Sequence, residues 1–251
     1  MKIQIDPHEL QRQVEMAFLL EVTIPKKECT SRFRDIGPKQ KFEYFLISAI
    51  NSGKYFFELG ERINITQGQP DVFYDLAYRA LIDSQKSRGG KIVNYGLLEA
   101  MFPVIVSRCL FDGNGLEVLK AVPNVLKDTS NEDVRYVAEM RKKIYLASNK
   151  QFKRDFPFHT FGDNVFEHYD YHKKVAHEAS RLFVSELTDG MPLTRKMYQL
   201  LTTDKGDLTE RLNEGFNQAR NLSGLPYGAL ADFSAAALFL LISEDPNSSI
   251  F

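Results

Sequence analysis

The chain has 251 residues, of which 43% are hydrophobic and 26% are charged. Its 32 basic and 33 acidic residues leave a net charge of −1, which excludes the strong positive field typical of proteins that bind nucleic acid or anionic membranes. Because this length and composition suffice for one sizeable hydrophobic core, we expect a single domain over residues 1–251.

Cysteine usage and the apolar segments indicate where the protein works. Cys29 and Cys109 lie far apart and have no metal-binding spacing, as is typical of a reducing compartment. The N-terminal segment MKIQIDPHEL lacks the apolar run of a signal peptide, and no later run is long enough to cross a membrane. We expect a soluble cytoplasmic protein with small-molecule ligands and with neither nucleic acid nor a membrane as partner. The tail 244–251 is able to pack on another subunit or on the protein's own core, so an oligomer stays open.

Hydrophobic residues recur with helical spacing along almost the whole chain. Asp6, Pro7 and Glu9 form an N-terminal capping pattern, and Ser130 caps a later helix. Pro103 is expected to kink the helix that contains it. The pattern predicts an all-α fold, one compact domain of about ten helices, near residues 7–21, 40–60, 71–86, 95–111, 115–127, 131–147, 164–187, 192–203, 207–221 and 228–243.

A basic loop follows the first helix. Glu21 continues the apolar stripe of that helix, so its carboxylate is expected to point inward. The loop then brings together Lys26, Arg32, Arg34 and Asp35. Guanidinium and ammonium groups bind polyphosphate, and a carboxylate can hold the accompanying Mg²⁺. The segment therefore indicates a polyphosphate site, and an exposed basic loop with an incidental ion pair is the alternative.

A glycine-containing connection spans residues 87–96. Gly89 and Gly90 allow backbone N–H groups to approach a phosphate, and Arg88 and Lys91 add positive charge. The spacing is not that of a Walker A loop. An ordinary glycine cap at the end of the preceding helix explains the two glycines equally well.

Residues 163–178 are rich in histidine and in acidic side chains. His168 and His172 are one helical turn apart and are able to face one metal ion, with a neighbouring acid as a third ligand. The stretch lacks the His-Glu-x-x-His order of zinc peptidases, and no second cluster completes a site. We favour histidines on a helix surface, or one histidine lining a pocket, over a metal-dependent phosphohydrolase.

The run 228–242 is apolar around the whole helix except at Asp232 and Ser234. Such a helix lies in a protein interior, and this run is too short to span a bilayer. Asp232 is expected in its first turn, where a buried charge needs a partner. That partner is either the free N–H groups of its own helix, which we favour, or a metal ion or substrate group.

Several motifs follow one another in the order found in one enzyme family. Glu-Val, Pro-Lys and Arg-Phe-Arg-Asp in residues 21–35 precede Phe-Glu-Tyr-Phe at 42–45. Gly-Lys-Ile-Val-Asn-Tyr-Gly at 90–96 precedes a Leu-rich helix with Pro103. Asn-Val-Phe-Glu at 164–167 and Gly-Ala-Leu-Ala-Asp at 228–232 complete the series. In this order they resemble the triphosphoribosyl-dephospho-CoA synthase family, in particular its archaeal-type members.

The resemblance implies an all-α transferase that joins ATP-derived triphosphoribose to 3′-dephospho-CoA and releases adenine. It further implies ATP as substrate, Mg²⁺ as cofactor and a role in cofactor biosynthesis. The residue roles that it implies are Lys26, Arg32 and Arg34 on phosphates, Asp35 and Asp232 on Mg²⁺ or on the attacking 2′-hydroxyl, Gly90, Lys91, Asn94 and Gly96 in a nucleotide loop, and Glu21 in the pocket wall.

The chain also departs from the family pattern in its polar loops. Pro-Lys-Pro-Gly reads Pro-Lys-Lys-Glu at 25–28, and an Asn-Thr pair is replaced by Ile92 and Val93. Leu230 stands where a small residue is usual. These changes remove hydrogen-bonding groups and close backbone approaches. The second hypothesis is therefore a member with altered or lost catalysis, which keeps the helical scaffold to bind a small molecule or a protein.

Overall fold

The computed structural model describes residues 3–38, 40–86, 93–147, 160–203 and 206–244. Over these residues the chain forms eleven α-helices and no β-strand, which confirms the all-α prediction. The helices are α1 (Pro7–Thr23), α2 (Phe42–Thr66), α3 (Tyr74–Lys86), α4 (Tyr95–Leu110), α5 (Gly115–Lys127), α6 (Asn131–Ala147), α7 (Val165–Val175), α8 (Glu178–Thr188), α9 (Pro192–Leu201), α10 (Leu208–Ser223) and α11 (Tyr227–Glu244).

The helices share one hydrophobic core, at whose centre lie α4 and α11. Both helices are buried on almost every side, as expected for sequences without a polar face. Helix α11 packs against α1, α4 and α9, while α4 also packs against α3 and α5. The two helices that carry the least polar sequence therefore meet each other in the interior.

Capping residues begin the helices where the sequence predicts. Asp6 accepts hydrogen bonds from the N–H groups of His8 at 2.9 Å and Glu9 at 3.3 Å. The hydroxyl of Ser130 accepts from the N–H of Asp133 at 3.3 Å. Helix α4 runs through Pro103 without interruption.

The predicted helix 164–187 is wrong as a single element. It is divided into α7 and α8 because Ala176 and His177 adopt extended backbone conformations. Asn164 caps α7 through a hydrogen bond from the N–H of Glu167 at 2.9 Å. No glycine or proline marks the break, so the hydrophobic period continues across it without a signal.

Helix α11 is longer than the apolar run from which it was predicted. Its 18 residues are enough, by length and composition, to cross a membrane, so the run cannot be called too short. Burial supports a core position, because 56% of the helix is inside the protein, where it packs against α1, α4 and α9. Among the described residues no other helix meets the same criterion.

Candidate functional site

A cavity of about 420 Å³ opens where the end of α1 meets the first turns of α4 and α11. We call it the polar lobe because carboxylate, hydroxyl and amide side chains line it. Its described walls include Glu21, Glu28, Thr30, Gln40, Asn94 and Asp232. Four of the residues singled out from the sequence thus line one space: Glu21, Asn94, Gly96 and Asp232.

A second cavity, also of about 420 Å³, adjoins the first. We call it the apolar lobe because hydrophobic surface dominates its walls, with Phe183, Pro226 and Ala229 among them. The two lobes share Tyr95, Gly96, Ile144 and Asp232. Asp232 therefore lies at the junction of a single two-lobed site.

The carboxylate of Asp232 caps helix α4. It accepts a hydrogen bond from the backbone N–H of Leu97, one of the N–H groups that the first turn of a helix leaves unpaired. Asn94, the cap residue of α4, has a left-handed backbone with a φ of 57° and makes no capping hydrogen bond through its side chain. Asp232 thus supplies from α11 the acceptor that the local sequence does not.

This contact corrects the prediction for Asp232 in two respects. Because α11 begins at Tyr227, Asp232 lies in its second turn and not in its first. Its partner is accordingly the N-terminus of α4 and not that of its own helix. The expectation that Asp232 lies on a core helix and needs a partner is confirmed.

Gly96 is required by the closeness of that carboxylate to α4. A Cβ atom at position 96 would lie 2.2 Å from Oδ2 of Asp232 and 3.0 Å from the ring of Phe183. No side chain fits there unless Asp232 moves. Gly96 was predicted as part of a nucleotide loop. The structure explains why this position is a glycine: the Asp232 carboxylate at the junction of the two lobes leaves no room for a side chain.

The surroundings of Asp232 disfavour its negative charge. Burial raises its pKa well above the ordinary value, and the charges of Glu21 and Glu99 raise it further. The hydrogen bond from Leu97 opposes these effects only in part. A carboxyl group with a raised pKa at a cavity junction is suited to take up a proton from a bound hydroxyl.

Lys26 does not extend into the polar lobe. Its Nζ lies 2.9 Å from Oε1 of Glu21 and donates hydrogen bonds to the backbone carbonyls of Glu21 and, at 3.2 Å, Ile24. Both side chains of this ion pair are buried. The three N–H donors of the ammonium group are all occupied by acceptors at the C-terminal end of α1. The ammonium group of Lys26 is therefore engaged within the protein in this conformation, and its phosphate role stays a prediction, while the inward orientation of Glu21 is confirmed.

The other residues of the basic loop lie on the surface beside the polar lobe. Arg32 stacks on the exposed ring of Phe33, with 4.6 Å between its guanidinium carbon and the ring centroid, and Arg34 is exposed. Asp35 is exposed as well, and its Oδ1 accepts a hydrogen bond from the N–H of Phe42 at 2.8 Å, at the start of α2. None of these side chains is among the described walls of the cavity. Gly90 and Lys91 lie outside the described residues.

Sequence reasoning missed a buried ion pair below the apolar lobe. Oε1 of Glu99 accepts from Nε of Arg141 at 2.8 Å and from the hydroxyl of Tyr169 at 2.7 Å. Arg141 also donates to Ser180 at 3.2 Å and lies over the ring of Tyr169. Glu99 is fully buried, and its Oε2 has no hydrogen-bond partner among the described residues. Its position in an otherwise apolar stretch of α4 is the same signal that identified Asp232.

Two buried histidines lie near that ion pair. His168 and His172 are fully buried, with their Nε2 atoms 3.1 Å apart, so the expectation of surface histidines is wrong. Burial, together with the positive charge of Arg141, lowers the pKa of His168 to about 3 and that of His172 to about 2. Both rings are therefore neutral at physiological pH. Over the parts of the chain that the structure describes, no group of three metal-ligating side chains occurs.

The polar lobe suits a magnesium ion only if a substrate shares in binding it. Glu21 and Asp232 present two carboxylates to one cavity, and the charge of Glu21 contributes to the raised pKa of Asp232. Mg²⁺ is usually held by one or two carboxylates, with waters and substrate phosphates completing its shell. Cys29, also in the wall, is not a candidate thiolate, because burial raises its pKa to about 12.

The fold and the site together define a helical protein with an acidic, small-molecule-sized cavity at the ends of buried helices. A family model described as "CitG: ATP:dephospho-CoA triphosphoribosyl transferase" matches residues 7–219. The chain belongs to this family, whose substrates are ATP and dephospho-CoA. The match ends within α10, so the likeness at residues 228–232 lies beyond it. No curated protein and no solved structure is significantly similar to the chain.

Proposed function

We propose that the two-lobed cavity is the active site of a Mg²⁺-dependent transferase that moves a triphosphoribosyl group from ATP to the 2′-hydroxyl of a dephospho-CoA-like acceptor and releases adenine. The family assignment supports the reaction class. The observation that carries the proposal is the position of Asp232 at the junction of the lobes, with its pKa raised. The cytoplasm, where the substrates are made, is the proposed location.

The proposed step is a displacement at the anomeric carbon of the donor. The acceptor oxygen forms a bond to this carbon, the bond to the adenine nitrogen breaks, and the bonding electrons leave with adenine. The proton of the attacking hydroxyl passes to the carboxylate of Asp232, and the departing adenine nitrogen takes up one proton from solvent, so neutral adenine is released. A base with a pKa near the working pH combines correct protonation with useful strength, and this is the direction in which burial moves Asp232.

The negative charge of the triphosphate must be neutralised by groups other than Lys26, because Lys26 is already paired with Glu21. Glu21 and the triphosphate itself would hold Mg²⁺, which when bound supplies positive charge to the phosphates, and Asp232 would then stay free to accept the proton. Arg32 and Arg34 are exposed on the loop that supplies the wall residues Thr30 and Ile36, and we propose them as cations for the phosphates. The roles of Asp35, Gly90 and Lys91 stay predictions from the resemblance.

The test is release of adenine from ATP in the presence of 3′-dephospho-CoA and Mg²⁺, followed by chromatography. We expect adenine in equal amount to the coupled product for the native protein. We expect at least a hundredfold slower release for Asp232→Asn, and no change for Asp71→Asn, which replaces an exposed aspartate outside the cavity. Absence of adenine with the native protein, or full activity of Asp232→Asn, contradicts the proposal.

A second candidate is a family member that binds its ligands without turnover. The buried Glu21–Lys26 pair favours it, because the pair removes a cation that the family resemblance assigns to phosphate. In that case calorimetry detects ATP or dephospho-CoA binding while adenine release stays at the level of a blank. Opening of the Glu21–Lys26 pair in an ATP-bound structure would return Lys26 to a phosphate role and exclude this candidate.

A further inference from the structure

We infer that the apolar lobe binds a 6-aminopurine ring and that Glu99 accepts a hydrogen bond from its amino group. The inference rests on the proposed function, because it assigns a substrate group to one half of the same cavity. Three observations carry it: the chemistry of the walls, the free oxygen of Glu99, and the position of the lobe next to Asp232.

The walls of the apolar lobe suit a flat heterocycle. Phe183 borders the lobe and stacks on Phe233, with ring centroids 5.0 Å apart and an interplanar angle of 24°. Tyr95 adds a second ring, and Pro226 and Ala229 add aliphatic surface. Purines bind proteins by stacking on aromatic and apolar side chains, with hydrogen bonds at their edges giving selectivity. The polar lobe, by contrast, has the hydroxyl, amide and carboxylate groups that ribose and phosphates need.

Glu99 supplies the edge contact. Its Oε1 already accepts hydrogen bonds from Arg141 and Tyr169, whereas Oε2 is buried and has no hydrogen-bond partner in the part of the chain that the structure describes. Such an atom costs free energy unless a donor reaches it. Glu99 is among the wall residues of the lobe, and we assign its buried Oε2 to a donor group on a guest there. The exocyclic amine of adenine is a donor, whereas the oxygen at the same position of hypoxanthine is an acceptor and would be repelled.

The geometry also assigns a direction to the bound nucleotide. Asp232 and Gly96 border both lobes, so a base in the apolar lobe places its glycosidic bond near the Asp232 carboxylate. The ribose and phosphates then extend into the polar lobe. Both ATP and a dephospho-CoA acceptor contain a 6-aminopurine, and the experiment must tell the two sources apart.

Two alanines on α11 provide a matched pair of variants. Ala229 borders only the apolar lobe and Ala231 borders only the polar lobe, and both are half-buried. With free adenine as the calorimetric probe, we expect Ala229→Leu to weaken binding at least tenfold and Ala231→Leu to change it less than about threefold. Equal adenine binding by the native protein and Ala229→Leu, or no adenine binding by the native protein, overturns the inference.

Glu99→Gln tests the selectivity that a merely structural Glu99 would not affect. Because Arg141 and Tyr169 both donate to the Oε1 position, the amide oxygen is held there and the amide nitrogen takes the place of Oε2. We expect the native protein to bind adenine at least tenfold more tightly than hypoxanthine, and this variant to lose or reverse that preference. If a folded Glu99→Gln protein keeps the native ratio of adenine to hypoxanthine affinity, Glu99 does not recognise the amino group.

Steady-state kinetics identifies the source of the base and separates this inference from the proposed function. If the donor's base occupies the lobe, Ala229→Leu raises KM for ATP; if the acceptor's base does, it raises KM for dephospho-CoA. Either result supports the inference, and an unchanged KM for both substrates in an active enzyme overturns it while leaving the transferase intact. Adenine binding that Ala229→Leu abolishes, in a protein without transferase activity, supports the inference and contradicts the transferase.

Discussion

Substitution of Gly96 by alanine is the sharpest test of the junction between the two lobes. The new Cβ would lie 2.2 Å from Oδ2 of Asp232, so the carboxylate must retreat by about 1 Å to restore an ordinary contact. The added Cβ would also lie 3.0 Å from the Phe183 ring, so a shift of α4 towards that ring does not relieve the contact. The hydrogen bond from Leu97 to Asp232 is then lost or lengthened.

The free energy of unfolding reflects two opposed effects. Loss of a hydrogen bond to a charged group costs about 1.5–3 kcal/mol, and replacement of glycine by alanine in a helix returns up to about 1 kcal/mol. We expect a net loss of about 1 kcal/mol, which corresponds to a fall in Tm of about 2–4 °C for a protein of this size. Misplacement of a catalytic group by 1 Å is able to slow a reaction about a hundredfold, so adenine release should fall much more than stability.

Gly228→Ala is the matched control, because Gly228 lines the same cavity and its added Cβ would meet no atom within 4 Å. Calorimetric melting and adenine release should both stay close to native for that variant. If Gly96→Ala melts and reacts like Gly228→Ala, Asp232 is not held against α4 as described, and the reasoning on the junction is refuted.

Three further substitutions test the charges around the site. Asp232→Asn should raise the free energy of unfolding at neutral pH. The pKa of Asp232 is higher in the folded than in the unfolded state, so the folded protein binds more protons. The native protein therefore loses stability as the pH rises from about 4 through the folded pKa. Urea unfolding at pH 4, 6 and 8 should show that the gap between variant and native widens with pH, and a constant gap contradicts the assignment. Arg141→Met should cost about 3–5 kcal/mol in urea unfolding because it leaves Glu99 buried without its counter-charge, whereas the double change with Glu99→Met should recover most of the loss. Lys26→Met should cost about 3 kcal/mol by leaving Glu21 unpaired, while the exposed neighbour Lys27→Met should stay within about 0.5 kcal/mol of native; equal effects at 26 and 27 would contradict the buried pair.

Most of the helical framework could be predicted because hydrophobic period and caps are local signals. The caps at Asp6 and Ser130 and the burial of α11 follow from short stretches of sequence. The break between α7 and α8 could not be predicted, since Ala176 and His177 have no conformational preference that ends a helix. Tertiary packing decides such a break.

The candidate site was predictable only where a charge interrupts an apolar helix. Asp232 was found by that signal, and Glu99 on α4 carries it equally. Arg141 precedes two lysines on α6 and so resembles an exposed basic stripe, yet it is buried against Glu99. Lys26 lies in a loop of charged residues, yet it is buried because its ammonium group donates hydrogen bonds to backbone carbonyls at the end of α1. Both cases depend on partners that sequence spacing does not reveal.

The capping of α4 by Asp232 has a consequence for how the protein is made. During synthesis the segment that becomes α4 leaves the ribosome long before α11 does. Until then the N–H of Leu97 lacks its carboxylate acceptor, and both lobes lack the wall that α11 provides. If the proposed function holds, the nascent chain therefore cannot bind a nucleotide in this cavity until α11 has packed against α4.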